Sequence, residues 1–310
     1  MITIHKFTLT LALDTKQAGR YSTAGTYNSA CNSFLRFVDN IDITFKDLTP
    51  GLIKSYEDRL LQEGKRHNTI SAYMRMLRSI CNQALEEGID FSHPIDKLFE
   101  FVFTGYEPTA KRAISPSIIR RLSLLDLNQK PTLCFSRDLF LLSFYLRGIP
   151  FVDLAHLRKS DVKYNTIYYY RHKTHQQLSI QIEPCAAEII NRYKQKHAAS
   201  PYLLSILTLT GEDGYKQYKS ALRLYNQHLH RLSKMLRLKV PLTSYVARHS
   251  WATTAKVEGI NISLISESLG HSSEKITHVY LASFTNNAIS KANKKVIATI
   301  NPNRKGKKIK

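Results

Sequence analysis

An arginine, a histidine and a tyrosine follow one another at short intervals late in the sequence. Arg248 lies in the stretch ARHSWATTA, His271 lies in LGHSS, and Tyr280 follows that histidine by nine residues. A tyrosine phenol, with a pKa near ~10, is a weak nucleophile until neighbours assist its deprotonation or stabilise the charge that it transfers. Arginines suit this task at a phosphate, because the planar guanidinium fork matches the geometry of the oxygens. The set favours attack of a tyrosine on a phosphodiester.

The composition favours a polyanionic partner for this chemistry. The 310 residues include 45 Lys and Arg against 24 Asp and Glu, which gives a formal net charge of +21. A positive field of this size attracts nucleic acid and speeds the encounter. The sequence has no uninterrupted apolar run of about 18 residues and no signal-peptide pattern, so we expect a soluble, intracellular protein.

Other classes of site find no support in the sequence. Neither G-x-x-x-x-G-K-[ST] nor G-x-G-x-x-G occurs, which argues against an ATP-driven motor. The four cysteines form no C-x-x-C pair and have no histidine at zinc-finger spacing, so we interpret them as reduced, mostly buried thiols. They are Cys31, Cys81, Cys134 and Cys185. His228 and His230 lie two apart on a predicted helix, cannot face one metal, and are expected at the surface.

The elements that precede these residues predict a small helical domain over residues 1–105. Residues 2–13, ITIHKFTLTLAL, alternate in the manner of a short strand. The stretch TPGLIKSYEDRLLQEG then predicts a helix capped by Thr49, begun at Pro50 and ended by Gly64. In the next predicted helix Arg75 and Arg78 lie three apart, where they can meet phosphates together or form an ordinary solvated face.

A second domain is predicted after a linker at residues 106–114. The domain extends over 115–300, with helices near 117–125 and 133–146 and a β-hairpin in NTIYYYRHKTHQQLSIQI, residues 165–182. Further amphipathic helices follow, and residues 301–310 form a basic tail that we expect to be disordered. The predicted fold class is mainly α with a small β-hairpin.

The combination of ARHSWATTA, LGHSS and the tyrosine nine residues beyond the histidine resembles the tyrosine recombinase, or phage integrase, family. RGIPFVDLAHLRKSDV is similar to the first catalytic box of its short bacterial integrase and DNA invertase branch, and YYYRHKTHQQLSI resembles its lysine-bearing hairpin. The resemblance implies an N-terminal SAM-like, core-binding domain and an α-rich catalytic domain.

The resemblance also implies a role for each matched residue. Tyr280 is expected to attack the scissile phosphate, which forms a 3′-phosphotyrosyl link and leaves a free 5′-hydroxyl. Arg248 is expected to clamp the phosphate, and His271 to bond a non-bridging oxygen or support the tyrosine. Lys173, at the hairpin turn, is expected to act as general acid to the leaving oxygen. Neither a metal nor ATP is expected to take part.

The sequence departs from the family pattern at two positions. The place usually held by the first catalytic arginine falls on Pro150, and Arg147 three residues earlier is the candidate substitute. Tyr245 stands three residues before Arg248, at a position where the family often has histidine. Ser244 or His249 can share its role. A phenol can donate a hydrogen bond to a phosphate, although it is a poor base at neutral pH.

The resemblance further implies double-stranded DNA with inverted-repeat core sites as the substrate. A dimer on each site, a tetramer in the synapse and accessory DNA-bending proteins are the expected assembly, in the bacterial cytoplasm in association with the nucleoid. The segment 286–300 is expected to dock on a neighbouring protomer. The short N-terminal region suggests no separate arm-binding domain, which favours simple core-site action such as inversion over integration or excision.

Three alternatives remain open at this point. A catalytically silent DNA-binding relative is consistent with the two departures, and it predicts site binding without covalent adducts. A metal-dependent nuclease would need paired carboxylates, and Glu63 to Lys65 fits the end of a helix better. A type IB topoisomerase uses a similar constellation but relaxes DNA without sequence preference.

Overall fold

The computed structural model describes residues 2–107, 109, 112–193, 200–271 and 273–281 and positions 290, 293 and 297, without the side chains of residues 279 and 280. The chain divides into two compact units, Met1–Thr109 with Thr210–Tyr215 and Ala110–Leu209 with Lys216–Lys310. We propose that the domain boundary lies in the predicted linker 106–114, because the two units separate between Thr109 and Ala110.

The first unit consists mainly of helices. Their bounds are α1 Ile4–Gln17, α2 Tyr21–Val38, α3 Pro50–Gln62, α4 His67–Glu86 and α5 Ile95–Leu98. The predicted signals of α3 are confirmed: the Thr49 hydroxyl accepts the Leu52 N–H, Pro50 begins the helix, and Gly64 has a positive φ of 72° beyond its end. Thus the capping chemistry in the sequence sets the bounds of this helix.

The predicted strand at residues 2–13 is wrong, because residues 4–13 belong to helix α1. Thr3 caps the helix by accepting the Lys6 N–H, and the hydroxyls of Thr8 and Thr15 return to backbone carbonyls one turn earlier. The apparent alternation came from β-branched residues whose buried members have helical spacing. The buried residues of the helix are Ile4, Phe7, Thr8, Ala12 and Thr15, of which Ile4, Thr8 and Thr15 are β-branched.

Helix α4 is amphipathic, and its apolar face supplies much of the core of the first unit. Its buried residues include Ile70, Met74 and Leu77. Arg75 is exposed and Arg78 is half-buried. The two arginines therefore keep access to solvent, as a phosphate contact requires.

The second unit is helical around one small sheet. The remaining elements are α6 Pro116–Ser123, α7 Pro131–Tyr145, α8 Phe151–His156, β1 Val162–Lys163, β2 Thr166–Tyr170, β3 Gln177–Gln181, α9 Pro184–Tyr193, α10 Gly211–Met235, α11 Val246–Val257, α12 Ile262–Leu269 and α13 Glu274–Tyr280. The sheet is antiparallel in the order β1-β2-β3, with Thr166 opposite Gln181 and Tyr170 opposite Gln177. The predicted hairpin and the mainly α fold class are confirmed.

Helix α7 lies in the core of the second unit and packs against α9 and α11. His228 on α10 is buried, and its Nδ1 lies 2.9 Å from the Ser136 hydroxyl on α7. The expectation that His228 is a surface residue is therefore wrong, because this hydrogen bond lets the ring enter the core. Within the described part of the chain, the helices lack the length and apolar character needed to cross a membrane.

Candidate active site

Arg248 lies at the junction of three chain segments. Its side chain is 3% exposed, in the first turn of α11. Nη1 donates to the Gly148 carbonyl at 3.0 Å, and Nη2 donates to the Leu269 carbonyl at 2.6 Å. Nη2 also lies 2.9 Å from His271 Nε2. The backbone thus holds the guanidinium in a fixed orientation, which is how an arginine prepares to receive an anion without reorganisation.

A tight turn at the end of α12 positions His271. Gly270 takes the left-handed conformation with φ of 63°, its N–H donates to the Glu267 carbonyl, and the His271 N–H donates to the Ser266 carbonyl. This C-cap satisfies the last carbonyls of the helix and fixes the direction of the chain. A Cβ at position 270 would lie 2.5 Å from Arg171 Cδ, so the turn needs glycine for close approach as well as for conformation.

Arg171 completes this turn, and sequence reasoning missed it. Its guanidinium is buried; Nη1 donates to the carbonyls of Leu269 at 3.1 Å and Gly270 at 2.7 Å. Its Nε contacts Asp153 Oδ2 at 3.4 Å, and Asp153 Oδ1 accepts the His172 N–H at 2.8 Å. The end of β2 is therefore tied to α8 and to the turn after α12.

A signal for Arg171 is present in the hairpin sequence. The buried positions of β2 are Ile167 and Tyr169, and the period of two continues to residue 171 just beyond the strand. A charged residue at an inward position calls for buried partners. The predicted lysine, Lys173, lies two residues further along on the exposed turn.

His271 is held neutral by its surroundings. Burial first, then the positive charges of Arg248, Arg171 and Lys173, lower the pKa of His271 to about 3. The charge of Lys173 therefore acts on the histidine ring. The ring's other nitrogen, Nδ1, lies 2.7 Å from the hydroxyl of Thr277, which is fully buried in α13.

The predicted nucleophile is located by its backbone alone. Helix α13 ends at Tyr280, one turn after Thr277, and the Tyr280 side chain lies outside the described residues. Thr277 contacts His271, and His271 contacts Arg248. The helix that carries Tyr280 therefore packs against the histidine that adjoins Arg248. The sequence-predicted residues His271 and Arg248 are thus in direct contact.

The loop between α7 and α8 brings Arg147 close to this cluster. Arg147 has a positive φ of 57°, which is uncommon for a residue other than glycine, and its Nη1 contacts the Ser179 carbonyl on β3 at 3.4 Å. The next residue, Gly148, accepts the bond from Arg248. Pro150 occupies the position where the family usually has its first catalytic arginine. It is buried as the N-cap of α8, so it serves to begin that helix.

Three arginines act electrostatically on the buried Tyr169 of β2. Burial, followed by the Asp153 carboxylate, raises the pKa of Tyr169, whereas Arg248, Arg171 and Arg147 oppose that rise. The positive charges of all three guanidinium groups therefore act on the Tyr169 phenol. Such a concentration of positive charge favours a phosphate over a neutral ligand.

The residues around Tyr245 have mixed environments. Tyr245 is 53% exposed at the N-cap of α11. Ser244 is buried, and its N–H donates to the Asn226 side chain at 2.9 Å. His249 is half-buried. Tyr245 is thus the most exposed of these three residues.

Comparison with protein families gives two matches along the chain. The model of the phage integrase SAM-like domain matches residues 3–98. That of the phage integrase family matches residues 123–287, more than half of the chain, and covers every predicted catalytic position.

Curated relatives match most of their own length. A tyrosine recombinase of Pseudothermotoga lettingae is 24% identical over 272 residues, which cover 84% of this chain and 86% of that protein. The tyrosine recombinase XerD of Chlorobaculum tepidum is 22% identical over 288 residues, which cover 90% of each.

Solved structures share the fold. A lambda integrase dimer bound to a COC′ core site has a TM-score of 0.65 at 15% identity and covers 100% of this chain and 80% of that chain. The Tn1549 transposon integrase in complex with circular intermediate DNA has a TM-score of 0.64 at 16% identity and covers 95% and 100% respectively.

Fold and site together define a phosphoryl-transfer enzyme built from a small helical domain and an arginine-rich, mainly helical catalytic domain. The chain belongs to the phage integrase family of tyrosine recombinases. Its enzyme class is accordingly that of the DNA recombinases.

Proposed function

We propose that this protein is a site-specific recombinase that cuts and rejoins DNA through Tyr280. The phenolic oxygen attacks the scissile phosphorus, a phosphotyrosyl bond forms to the 3′ end, and the bond to the 5′ oxygen breaks. The observation that carries the proposal is the buried guanidinium of Arg248, 2.9 Å from His271 Nε2, beside the contact with the helix that ends at Tyr280.

The arginines stabilise the charge that develops on the non-bridging oxygens. Arg248 is fixed by two backbone carbonyls, so its fork is oriented before DNA arrives. Arg147 supplies a second fork from the loop that packs on Arg248 and takes the part of the arginine missing at Pro150. Preorganised donors of this kind contribute about 100-fold or more to the rate each.

Lys173 is the proton donor of the site, and His271 supports the phosphate-binding arginine. With its pKa lowered to about 3, His271 is neutral and presents Nε2 as an acceptor, since an arginine can only donate to it. His271 therefore supports the Arg248 fork beside the phosphate, and the proton of the Tyr280 hydroxyl passes to solvent as the oxygen attacks. Lys173 gives a proton to the leaving 5′ oxygen, so one proton is taken up and one is released at the site.

The covalent link conserves the energy of the phosphodiester. Attack of a 5′-hydroxyl from the partner strand on the phosphotyrosyl bond reverses the first step, regenerates the phenol and returns each proton to its donor. The sequence of steps needs neither ATP nor a metal ion. Among the described residues, His, Cys, Asp and Glu form no group of three that can hold a metal.

Recombination requires that several protomers assemble on DNA. The lambda integrase structures are a dimer on a core site and a tetramer on a Holliday junction. We extend this assembly to the present chain, with the first unit binding inverted repeats through Arg75 and Arg78, and with accessory DNA-bending proteins where sites are distant. The segment 286–300, assigned to docking between protomers, lies outside the described residues apart from positions 290, 293 and 297.

The outcome of strand exchange depends on the placement of the two sites. We propose simple core-site action, which includes inversion of a segment between inverted sites and integration or excision in other arrangements. The silent DNA-binding alternative rests on Pro150 and Tyr245. The position of Arg147, one residue before the carbonyl that anchors Arg248, supports an active site over a silent one.

A nicked suicide substrate tests this function. The binding site is first selected from random duplexes by the protein itself, and the substrate is then incubated with enzyme in EDTA and analysed on a denaturing gel. We expect a covalent protein–DNA adduct that Tyr280→Phe abolishes. Tyr164→Phe is the control, because that side chain is fully exposed at 100% on the turn between β1 and β2. Specific binding without any adduct would replace this function with that of a silent relative.

A further inference from the structure

Two buried arginines share the Leu269 carbonyl as an acceptor. This oxygen accepts from Arg248 Nη2 at 2.6 Å and from Arg171 Nη1 at 3.1 Å. Arg171 Nη1 also donates to the Gly270 carbonyl at 2.7 Å, and Arg171 is only 7% exposed. A buried cation persists in such a place only when its donors are satisfied. The phosphate-binding arginine and Arg171 are therefore fixed against the same turn of the chain.

Arg171 is also the base of the turn that carries Lys173. Its N–H donates to the Gln176 carbonyl at 2.9 Å, and its own carbonyl accepts the His175 N–H at 2.9 Å. Lys173 lies two residues beyond Arg171, on the exposed part of this turn. Because these backbone bonds close the turn on Arg171, the place of Arg171 decides where the Lys173 backbone lies.

The turn after α12 fits closely against the same hairpin. A Cβ at Gly270 would lie 2.5 Å from Arg171 Cδ, 3.0 Å from Leu178 Cδ1 and 3.4 Å from Gln176 Oε1. These three atoms belong to the two sides of the hairpin. The hairpin therefore cannot slide along the turn without losing the carbonyl bonds of Arg171.

We infer that Arg171 is a positioning residue that places the Lys173 ammonium against the scissile phosphate bound by Arg248. The inference rests on the proposed function, in which Lys173 protonates the leaving 5′ oxygen. The Arg171 side chain binds the turn beside Arg248, and its backbone closes the turn of Lys173, so one residue sets the distance from proton donor to phosphate. A general acid acts only within hydrogen-bond reach of the leaving atom. Misplacement by about 1 Å can cost on the order of 100-fold in rate.

A purely structural role of Arg171 predicts a different pattern of rates. If Arg171 only orients Arg248 or stabilises the fold, its loss slows cleavage whatever the leaving group is. If it positions Lys173, its loss slows only a leaving group that needs a proton. An alkoxide needs one, whereas a thiolate does not, because the pKa of an alkyl thiol is near ~8.5. DNA with sulfur in place of the scissile 5′ bridging oxygen therefore separates the two roles.

The test compares suicide substrates with oxygen or sulfur at this bridging position by the single-turnover rate of adduct formation. Arg171→Lys keeps a positive charge beside Asp153, which lies 3.4 Å from Arg171 Nε, but lacks the fork that spans the two carbonyls. We expect this variant to cut the oxygen substrate on the order of 10- to 100-fold more slowly than the wild type. The sulfur substrate should be cut at close to the wild-type rate. Lys173→Ala should show the same rescue by sulfur.

Arg137→Lys is the matched control for the loss of a fork. Arg137 also contacts a buried aspartate and a backbone carbonyl, with Nε 2.8 Å from Asp138 Oδ1 and Nη1 2.7 Å from the Leu125 oxygen. This variant should cut both substrates at the wild-type rate. A second variant, Arg171→Met with Asp153→Asn, removes both charges together and so leaves no unpaired buried carboxylate. It should show the same rescue by sulfur, and it provides the test if Arg171→Lys does not fold.

Three results are decisive. Equal slowing of the oxygen and sulfur substrates by the Arg171 variants would overturn the inference and leave Arg171 as support for Arg248 alone. A Lys173→Ala variant that stays slow on the sulfur substrate would also overturn it, because the proton donor would then not be Lys173. Absence of an adduct from the wild type on both substrates would contradict the proposed function, and the inference with it.

Discussion

Gly148 and Arg248 hold each other through two separate constraints. The Gly148 carbonyl accepts from Arg248 Nη1 at 3.0 Å. A Cβ at position 148 would lie 2.7 Å from Arg248 Cα, inside the closest approach of real side chains. The loop that carries Arg147 therefore packs directly against the backbone of Arg248, and only glycine at position 148 allows this contact.

Substitution of Gly148 by alanine should disrupt the site. The residue has a positive φ of 71°, and the added methyl meets backbone that cannot move aside. We expect the free energy of unfolding to fall by about 2–4 kcal/mol, from strain and overpacking combined. Urea denaturation measures it. Gly259→Ala is the control: with a φ of 81° but nothing within 4 Å, it should lose only about 1–2 kcal/mol. Equal losses would show that the close approach is unimportant.

The stability of the protein should fall on acidification partly through His271. The folded pKa of about 3 lies below the ordinary value of about 6.5, so from about pH 6.5 downwards the unfolded chain binds a proton that the folded one refuses. This contribution is present above pH 6.5 and is lost as the pH falls towards 3. Urea midpoints should decline less steeply in His271→Gln than in the wild type. Parallel curves would contradict the lowered pKa.

Replacement of Arg147 by glycine should separate catalysis from folding. Glycine adopts the positive φ of 57° without strain, so we expect no loss of stability. Removal of the guanidinium should slow adduct formation about 100-fold, and lysine should restore only part of the rate because it lacks the fork. Arg120→Ala, on exposed helix α6 surface, is the control. A wild-type rate in Arg147→Gly would exclude Arg147 as the substitute arginine.

The arginines of α4 should contribute to DNA affinity through phosphates. Single substitutions Arg75→Ala and Arg78→Ala are expected to weaken binding evenly across DNA sequences. Each should reduce the slope of log K against log salt by about 1. Fluorescence anisotropy at several salt concentrations gives this slope. Lys97→Ala is the control, since its ammonium pairs with Glu100 on the same unit. An unchanged slope would show that Arg75 and Arg78 do not contact phosphates and only form a solvated helix face.

Local chemistry made much of the fold predictable. Thr49, Pro50 and Gly64 set the bounds of α3, and the runs flanking the polar turn predicted the β2–β3 hairpin. The mistaken strand at 2–13 shows the limit of periodicity, because threonines that bond back to their own helix resemble β-branched residues of a strand. Capping by Thr3 decides the outcome.

The site was only partly predictable for a different reason. Arg248 and His271 belong to short motifs, so their types and spacing suffice to single them out. Arg171 becomes important only when the end of β2 meets the turn at Gly270, 99 residues further along the chain. The contact of Thr277 with His271 is likewise one that no spacing rule specifies. Tertiary contacts of this kind follow from packing and cannot be read from local pattern.

The central claim is that Tyr280 forms the covalent bond to DNA. The most direct measurement is mass spectrometry of the adduct after trypsin and nuclease digestion, with the reaction carried out in EDTA. We predict a nucleotide linked through the 3′ phosphate to the peptide that contains Tyr280, and no modified peptide in Tyr280→Phe. A nucleotide on any other of the 17 tyrosines, or on no residue at all, would contradict the account.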